Sequence, residues 1–319
     1  MDERDFWALT RGDGELWGEV LVGLMEGAVR PNSKKAYRTH MEHFCTWLGS
    51  QAGELTRELV IGYRDELAET FADATVRSRM AVVRVFCRQL VRKRVLDVDP
   101  FEDKIKLPAT SREGTTPALS RGQYLDLVAA ARRDPTPRGL RDVALIRFAF
   151  RTGLRKAALL DLTADDFGSD QGHTVVTYRA KGGGEKRTKV PQALRTDLQS
   201  WLDMLSALGG MADGPSPIWR GIRGPRTAQD GLPWRLTPGH LSRFGLDTVL
   251  RSRSVQAELP LFVTPHVLRA TFITLALDAG ASLHRVQYAA DHADPRTTER
   301  YDRKRLNLDD HATDYLGDL

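Results

Sequence analysis

Apolar residues recur at helical spacing along most of the chain and fall into two blocks. In the first block, Leu16–Leu96, the repeat predicts a compact four-helix bundle with short polar joints. One helix is predicted to have Asn32 or Ser33 as its N-cap and to end at Gly49. Another is predicted to begin near Asp73. These features are typical of a small helical domain.

The helical repeat stops over Pro100–Pro117, where Pro, Gly, Ser and Thr replace the periodic apolar residues. Such a composition favours an extended linker. The chain has 319 residues, a length that suits two hydrophobic cores better than one. We therefore predict a helical domain at 1–103, a linker at 104–117 and a second domain at 118–319.

The second block is predicted to be mostly helical with one β-hairpin. β-branched residues flank a Gly-rich turn over His173–Pro191, which indicates the hairpin. The Gly- and Pro-rich stretch Gly209–Trp234 is predicted to be irregular. Capping residues or prolines mark helix boundaries at Ser120, Thr152-Gly153, Thr237-Pro238, Thr264-Pro265 and Ser282. The predicted fold class is therefore mainly α, with a small antiparallel β-element (α+β).

Composition excludes several classes of protein but does not identify a function. Hydrophobic residues make up 41% and charged residues 28%, which is ordinary for a globular protein. The N-terminus has no apolar signal core, and no apolar run approaches the ~20 residues of a membrane span, so a cytoplasmic protein is expected. Cys45 and Cys87 lie in apolar-periodic stretches without a CxxC pair, which favours buried free thiols over a disulfide or a zinc site.

The net charge of +5 is mild, but the basic residues are concentrated locally. Ala74–Arg94 contains seven basic residues and no acidic one, and several of its arginines share one helical face. Such a face suits the major groove of DNA, although charged helix faces are often only solvated. The candidate DNA-contacting residues are Lys34, Lys35, Arg38, Arg77, Arg79, Arg84, Arg88 and Arg243.

Four short patterns in the second block carry candidate chemistry. They are T-G-L-R, A-K-G-G-G in the hairpin, P-H-V-L-R, and D-H-A-D-P-R-T-T-E-R-Y near the end. Each is weak alone, because most arginines and histidines are not catalytic, and the Gly-rich stretch lacks the spacing of a Walker A loop. Together they supply the residues Arg155, Lys181, His266, Arg269, His292 and Tyr301.

In this order, the four patterns resemble the catalytic segments of the tyrosine recombinase or phage integrase family. Upstream, S-K-K-A-Y-R-T-H-M-E-H-F-C-T-W-L resembles the opening helix of that family's N-terminal core-binding domain. The resemblance implies a SAM-like domain of four or five helices followed by a mostly helical catalytic domain, similar to the compact Xer-type and Cre-type members. Two positions depart from the pattern: Ala158 replaces a frequent acid, and Asp291 replaces the usual glycine before the second histidine.

The resemblance also implies a role for each matched position. Arg155 and Arg269 would hold the scissile phosphate, Tyr301 would be the nucleophile, and Lys181 would protonate the departing 5′-oxygen. His266 would act as a base or position the tyrosine. His292 would hydrogen-bond the phosphate. No metal ligand and no cofactor is implied.

The implied reaction cuts and rejoins DNA through a 3′-phosphotyrosyl intermediate, without metal or ATP. The implied partner is double-stranded DNA that carries an inverted-repeat core site. A homodimer would bind each site and a tetramer would form at synapsis, for integration, excision or resolution of DNA. No membrane partner is implied.

Several alternatives remain open at this point. A type IB topoisomerase-like enzyme or a hairpin-forming resolvase would use the same residues, and a DNA-binding regulator could keep the scaffold without catalysis. A metal-dependent phosphoesterase is disfavoured because His266 and His292 lack carboxylates at ligand spacing. Tyr288 and Tyr315 are competing nucleophiles, but Tyr288 is predicted to be a packed helix residue and Tyr315 lies in the tail. The amphipathic tail itself could dock onto a second copy or onto its own domain.

Overall fold

A computed structural model shows that the chain divides into two compact units, Met1–Ser111 and Arg112–Leu319. It describes residues 22–23, 31–51, 54–109, 116–180, 183–211, 215–224 and 233–302. Several predicted features lie outside these residues: most of the opening part of the first helical block (residues 16–30), Lys181, Tyr315 and the amphipathic tail.

Three long helices make up the described part of the first unit: α1 (Pro31–Gly49), α2 (Arg57–Thr70) and α3 (Asp73–Arg92). Their apolar faces meet in one core, in which the rings of Phe44 and Tyr63 lie edge to face with centroids 4.9 Å apart. The predicted start near Asp73 and end at Gly49 are confirmed, whereas α1 begins slightly before the predicted cap. Cys45 and Cys87 are buried free thiols, as predicted.

The segment after α3 packs back onto the first unit. The backbone carbonyls of Asp103, Lys106 and Pro108 accept hydrogen bonds from Arg57, Arg64 and Arg77 respectively, at 2.8 to 3.0 Å. Ile105 is buried in the same core. Residues 104–108 are therefore extended but attached to this unit.

The second unit is built mainly from helices around one large core. Its helices are α4 (Arg121–Arg132), α5 (Pro137–Thr152), α6 (Lys156–Leu160), α7 (Arg195–Ala207), α8 (Arg243–Gln256), α9 (Pro265–Asp278), α10 (Leu283–Ala289) and α11 (Pro295–Glu299). None of the helices within the described residues combines the length and apolar character that crossing a bilayer requires.

Two small antiparallel sheets complete the second unit. The strands β1 (Phe167–Asp170), β2 (His173–Arg179) and β3 (Glu185–Lys189) form a meander, in which Val176 opposes Thr188. The predicted hairpin is therefore confirmed, and β1 is an additional strand that the sequence pattern did not indicate. The short strand β4 (Ile222–Arg223) lies inside the stretch predicted to be irregular and pairs with β5 (Arg235–Leu236), which begins directly after that stretch.

The predicted helix boundaries are confirmed at Ser120, which forms a capping box with Gln123, and at Thr264 and Ser282. The predicted start at Thr237 is wrong. There the chain continues without helix to Ser242, whose hydroxyl accepts from the Gly245 amide and caps α8. Proline suits the first helical turn but does not by itself begin a helix.

Candidate active site

Arg155 lies at a tight junction between two helices. Helix α5 ends at Thr152, and its C-cap residue Gly153 adopts a left-handed conformation with φ of 60°. A Cβ at this position would lie 2.6 Å from the Phe272 ring, so only glycine fits. The chain then turns into α6, with Arg155 as its N-cap residue. This local geometry turns the arginine side chain away from α5 toward the turn that follows α10.

Arg269 projects from α9 and is almost completely buried, with 7% of its surface exposed. It donates through Nη1 to the carbonyl of Gly153 and through Nη2 to the carbonyl of Ala290. The pKa of Arg269 is lowered to about 10, mainly by burial and also by the nearby positive charge of Arg155. The guanidinium remains charged at neutral pH and ties three segments together.

Asp291 occupies the turn after α10 and binds Arg155 twice. Its carboxylate accepts from Nη1 of Arg155, and its backbone carbonyl accepts from Nη2 at 2.6 Å. The other carboxylate oxygen accepts from Nζ of Lys186 on β3. Partial burial opposes ionisation of Asp291, but the hydrogen bonds from Lys186 and Arg155 outweigh it and lower the pKa below its usual value.

His292 follows directly and lies beside Tyr301. The two rings are nearly parallel, with 17° between their planes and 6.4 Å between their centroids. The Nδ1 atom of His292 is 2.9 Å from the hydroxyl of the fully buried Thr298. Burial, together with the charges of Arg269 and Arg155, lowers the pKa of His292 to about 4. This histidine is therefore neutral at physiological pH.

The hairpin contributes Tyr178 of β2 to the same region. Burial raises the pKa of Tyr178, the charge of Asp291 raises it as well, and the charges of Arg155 and Arg269 oppose this rise. The β2–β3 hairpin therefore lies within electrostatic reach of both arginines.

The structure thus brings Arg155, Arg269, His292 and Tyr301 into one region of strong positive charge. His266 lies one helical turn before Arg269 on α9 and is exposed. Lys181, the predicted hairpin lysine, lies outside the described residues.

Sequence reasoning missed two residues of this region. Asp291 was noted only as a departure from the family pattern, and Lys186 was not singled out. An acid in place of glycine beside a candidate catalytic histidine was the available signal. No comparable signal pointed to Lys186 among the five Lys and Arg residues of the hairpin stretch His173–Pro191.

The candidate DNA-contacting set is exposed with one exception. Arg79 is buried, with 8% of its surface exposed, and its guanidinium stacks over the Phe71 ring at 4.2 Å. It therefore does not lie on the basic face, which corrects its inclusion in the set. The exposed members are Lys34, Lys35, Arg38, Arg77, Arg84, Arg88 and Arg243.

Tyr288 was expected to be a packed helix residue, and this expectation is wrong. Its side chain is 82% exposed on α10. Tyr301, by contrast, is partly buried and packs beside Leu277, Val286 and Ala290. Of these two tyrosines, Tyr301 is the one that contributes to the electrostatic environment of Arg269.

Comparison with known proteins places the chain among DNA recombinases. The sequence profile of the phage integrase family matches residues 118–307. Tyrosine recombinase XerD of Caulobacter vibrioides is 28% identical over 294 residues, which span 90% of this chain and 92% of that protein. Tyrosine recombinase XerC of Roseiflexus castenholzii is 27% identical over 277 residues, which span 85% of this chain and 82% of that protein.

Solved structures share the fold. The XerH site-specific recombinase, bound to a palindromic difH substrate in a post-cleavage complex, superposes with a TM-score of 0.66 at 17% identity. The match covers 86% of this chain and 78% of that one. A lambda integrase dimer bound to a core site gives the same TM-score at 14% identity and covers 93% of this chain and 98% of that chain.

Proposed function

The chain belongs to the phage integrase family, and we propose that it is a site-specific DNA recombinase that uses Tyr301 as its nucleophile. The observation that carries this proposal is the convergence of both arginines, His292 and Tyr301. They come from three separate segments, and Arg155 is more than 100 residues from the other three. A purely structural role would not require two guanidiniums at this point, because their mutual repulsion must be offset by other contacts.

The charges of the site suit phosphoryl transfer. A phosphodiester is anionic, and its pentacoordinate transition state concentrates negative charge on the non-bridging oxygens. Arg155 and Arg269 already lie close together before any phosphate arrives. The free energy needed to bring the two positive charges together is therefore supplied by folding and does not add to the barrier of the reaction. We propose that these two guanidiniums hold the scissile phosphate while the phenol oxygen of Tyr301 attacks phosphorus.

His292 is suited to donate a hydrogen bond to the phosphate as a neutral ring. We propose that Nδ1 accepts from the Thr298 hydroxyl 2.9 Å away, so that Nε2 carries the proton and donates to a non-bridging oxygen. The low pKa of His292, about 4, keeps this state across the physiological range. The stacked arrangement holds the Tyr301 ring beside the same phosphate.

The proton transfers are assigned by the family pattern. We propose that His266 accepts the phenol proton or positions Tyr301, and that Lys181 protonates the departing 5′-oxygen. The products are a 3′-phosphotyrosyl ester and a free 5′-hydroxyl. The ester conserves the bond energy, so a 5′-hydroxyl from another strand can attack it and reseal the DNA without ATP.

We further propose that the exposed basic residues of α1 and α3 hold the DNA duplex, and that the target is a palindromic site, as in the XerH complex, bound by a dimer, as in the lambda integrase complex. In that case, one copy binds each half of an inverted-repeat core site, and two bound dimers form the synaptic tetramer. Membership of the family and the exposed arginines of α3 support a DNA partner.

Covalent trapping tests the proposal. DNA fragments that the Tyr301→Phe protein retains would be sequenced, and a nicked version of the recovered site would serve as suicide substrate in EDTA. We expect wild type to form a covalent protein–DNA complex, Tyr301→Phe to form none, and the matched control Tyr288→Phe to behave as wild type.

Different results point to other functions. Specific binding without a covalent product would indicate a DNA-binding regulator, and a requirement for metal would exclude the proposed mechanism. If a covalent complex forms, supplying two core sites separates recombination from relaxation. Exchange of flanking DNA between the sites supports a recombinase, whereas relaxation of a supercoiled circle alone would indicate a topoisomerase-like enzyme.

A further inference from the structure

We propose that Asp291 is a positioning residue that sets the Arg155 guanidinium for the scissile phosphate and links it to the hairpin through Lys186. This inference rests on the proposed function. Neither the arginine pair nor the nucleophile requires an acid at this position, and a carboxylate beside a phosphate-binding arginine repels the phosphate. The contacts of Asp291 indicate that its carboxylate instead orients Arg155.

The first step is the double contact with Arg155. A carboxylate oxygen and the backbone carbonyl of the same residue accept from Nη1 and Nη2. Two acceptors in one plane fix the orientation of a planar guanidinium far better than one does. Asp291 has only 10% of its side chain exposed, compared with 31% for Arg155, so the acceptor is the more buried partner of the pair.

The second step is the backbone conformation. Asp291 has a φ of 52°, in the left-handed region, where Asp and Asn are tolerated better than most residues other than glycine. In this conformation the carbonyl and the carboxylate of Asp291 both reach Arg155. A glycine would adopt the same backbone more readily but would provide only the carbonyl.

The third step is the edge of the guanidinium that remains open. A guanidinium carries five N–H donors. Within the described residues, the hydrogen bonds of Arg155 and Arg269 run through Nη1 and Nη2, to Asp291 in one case and to Gly153 and Ala290 in the other. The edges that contain Nε meet no protein acceptor there, and these are the donors left for a phosphate.

The fourth step is the hairpin. Lys186 on β3 donates to the second carboxylate oxygen of Asp291, and both cations lower the pKa of that acid, although partial burial opposes them. The carboxylate therefore lies between Arg155 and the β2–β3 hairpin. Moving the hairpin would disturb Arg155 through this single carboxylate.

Position 158 supplies no second acid to Arg155. Ala158 lies one turn beyond Arg155 and lines a cavity of about 180 Å³ together with Tyr178 of the hairpin. The side chain at 158 thus offers no carboxylate to Arg155. Asp291 provides one from the opposite segment.

Two variants separate the charge of Asp291 from its backbone conformation. Asp291→Asn keeps an oxygen acceptor and tolerates the left-handed conformation, and Asp291→Gly keeps only the carbonyl. Asp247→Asn is the matched control, because it removes the acid that pairs with neighbouring Lys156 at 2.6 Å on the surface. Each would be assayed for affinity, thermal stability and rate of covalent complex formation.

For Asp291→Asn we expect the rate to fall about 10- to 100-fold, less than the ~100- to 1000-fold loss typical when a whole donor is removed. DNA affinity should stay within about twofold or rise, because a negative charge near the phosphate has been removed. Asp291→Gly should lose at least as much rate as Asp291→Asn, because it keeps only the backbone carbonyl as an acceptor for Arg155, and Asp247→Asn should match wild type.

Two results would overturn the proposal. Wild-type or faster cleavage by Asp291→Asn would show that the carboxylate is dispensable or competes with the phosphate. Parallel loss of affinity, thermal stability and rate in both variants would show a merely structural role. In either case wild type still forms the covalent complex, so the proposed function would stand.

If wild type forms no covalent complex, the proposed function fails, and the positioning role is judged without DNA. Guanidinium ¹⁵N–¹H spectra of Arg155 should show slow-exchanging, restricted Nη protons in wild type and Asp247→Asn, and averaged ones in Asp291→Asn. Equal averaging in all three proteins would overturn the inference.

Discussion

The imidazole of His292 lies almost parallel to the phenol ring of Tyr301, with 6.4 Å between the centroids. The Nδ1 atom of His292 is hydrogen-bonded to the buried hydroxyl of Thr298, and the backbone amide of His292 donates to the carbonyl of Gln287 at 3.1 Å. The backbone amide of Tyr301 in turn donates to the carbonyl of Thr298 at 3.0 Å. Helix α11 therefore sets the spacing between the two rings.

This relationship predicts a specific role for Thr298. In Thr298→Val the ring of His292 loses its hydroxyl partner while the buried volume is nearly kept. We expect the cleavage rate on a suicide substrate to fall about tenfold, because a buried histidine with an unmet Nδ1 can rotate or change tautomer. Thr297→Val is the neighbouring control. Equal rates for the two variants would contradict the assigned role.

His292 should also make stability depend on pH. Its folded-state pKa of about 4 lies below the ordinary 6.5, so the unfolded chain takes up a proton first as pH falls. The stabilising effect of the neutral ring is complete above about pH 6.5 and is lost as the pH falls toward 4. The full shift corresponds to about 3 kcal/mol, which solvent screening of a half-buried ring reduces to about 1–2 kcal/mol.

The measurement compares wild type with His292→Gln by urea unfolding at a series of pH values. The difference in free energy of unfolding between them should shrink by about 1–2 kcal/mol from neutral to acidic pH. A constant difference across this range would show that His292 does not titrate differently in the folded state.

Gly153 should be sensitive to any side chain. Gly153→Ala forces alanine into a φ of 60° and places its Cβ 2.6 Å from the Phe272 ring. Strain of about 1–2 kcal/mol and overpacking of about 1–3 kcal/mol should add, and the carbonyl that binds Arg269 should shift. Thermal melting and covalent complex formation should both decline.

The control for this prediction is Gly172→Ala. Gly172 has a φ of 75°, but a Cβ there would meet nothing within 4 Å. It should therefore lose only the strain, about 1–2 kcal/mol, and keep its cleavage rate. If both alanine variants melt and cleave alike, the close approach to Phe272 is not what selects glycine at 153.

A buried charge cluster away from the site should govern the stability of the second unit. Asp142 is 3% exposed and accepts from both Arg141 and Arg253, at 2.7 to 2.9 Å. Asp142→Ala would leave these arginines buried with one acceptor fewer, at a cost of about 3–5 kcal/mol.

Thermal melting of the second unit measures this cost. The exposed ion pair of Lys156 and Asp247 provides the comparison, because Asp247→Ala should lower the free energy of unfolding by less than about 1 kcal/mol. At a temperature where the variants are folded, the cleavage rates should remain near that of wild type. A loss below about 1 kcal/mol in Asp142→Ala would show that water reaches the cluster.

The basic face of α3 should determine how DNA affinity responds to salt. Arg84→Met removes an exposed cation, so the slope of log affinity against log salt should fall in magnitude by about 1 for all sequences. Arg79→Met is the matched substitution of a buried arginine and should leave the slope unchanged. Equal slope changes would mean that Arg79 reaches DNA or that neither residue does.

Much of the fold follows from local pattern. Capping residues at Ser120, Thr264 and Ser282 specify their helix starts because the preference is satisfied within four residues. The start predicted at Thr237 is wrong because Ser242, five residues later, competes for the same role. The third strand, β1, depends on pairing with β2, which a local pattern does not reveal.

The sequence by itself determined which residue types the chemistry would use and in what order, because short motifs with fixed spacing carry that information. Only the tertiary structure decided that Arg79 is buried, that Tyr288 is exposed, and that Asp291 joins Arg155 to the hairpin. Contacts between segments more than 100 residues apart depend on packing and on the backbone conformation of single turns, and neither is written into the neighbouring residues.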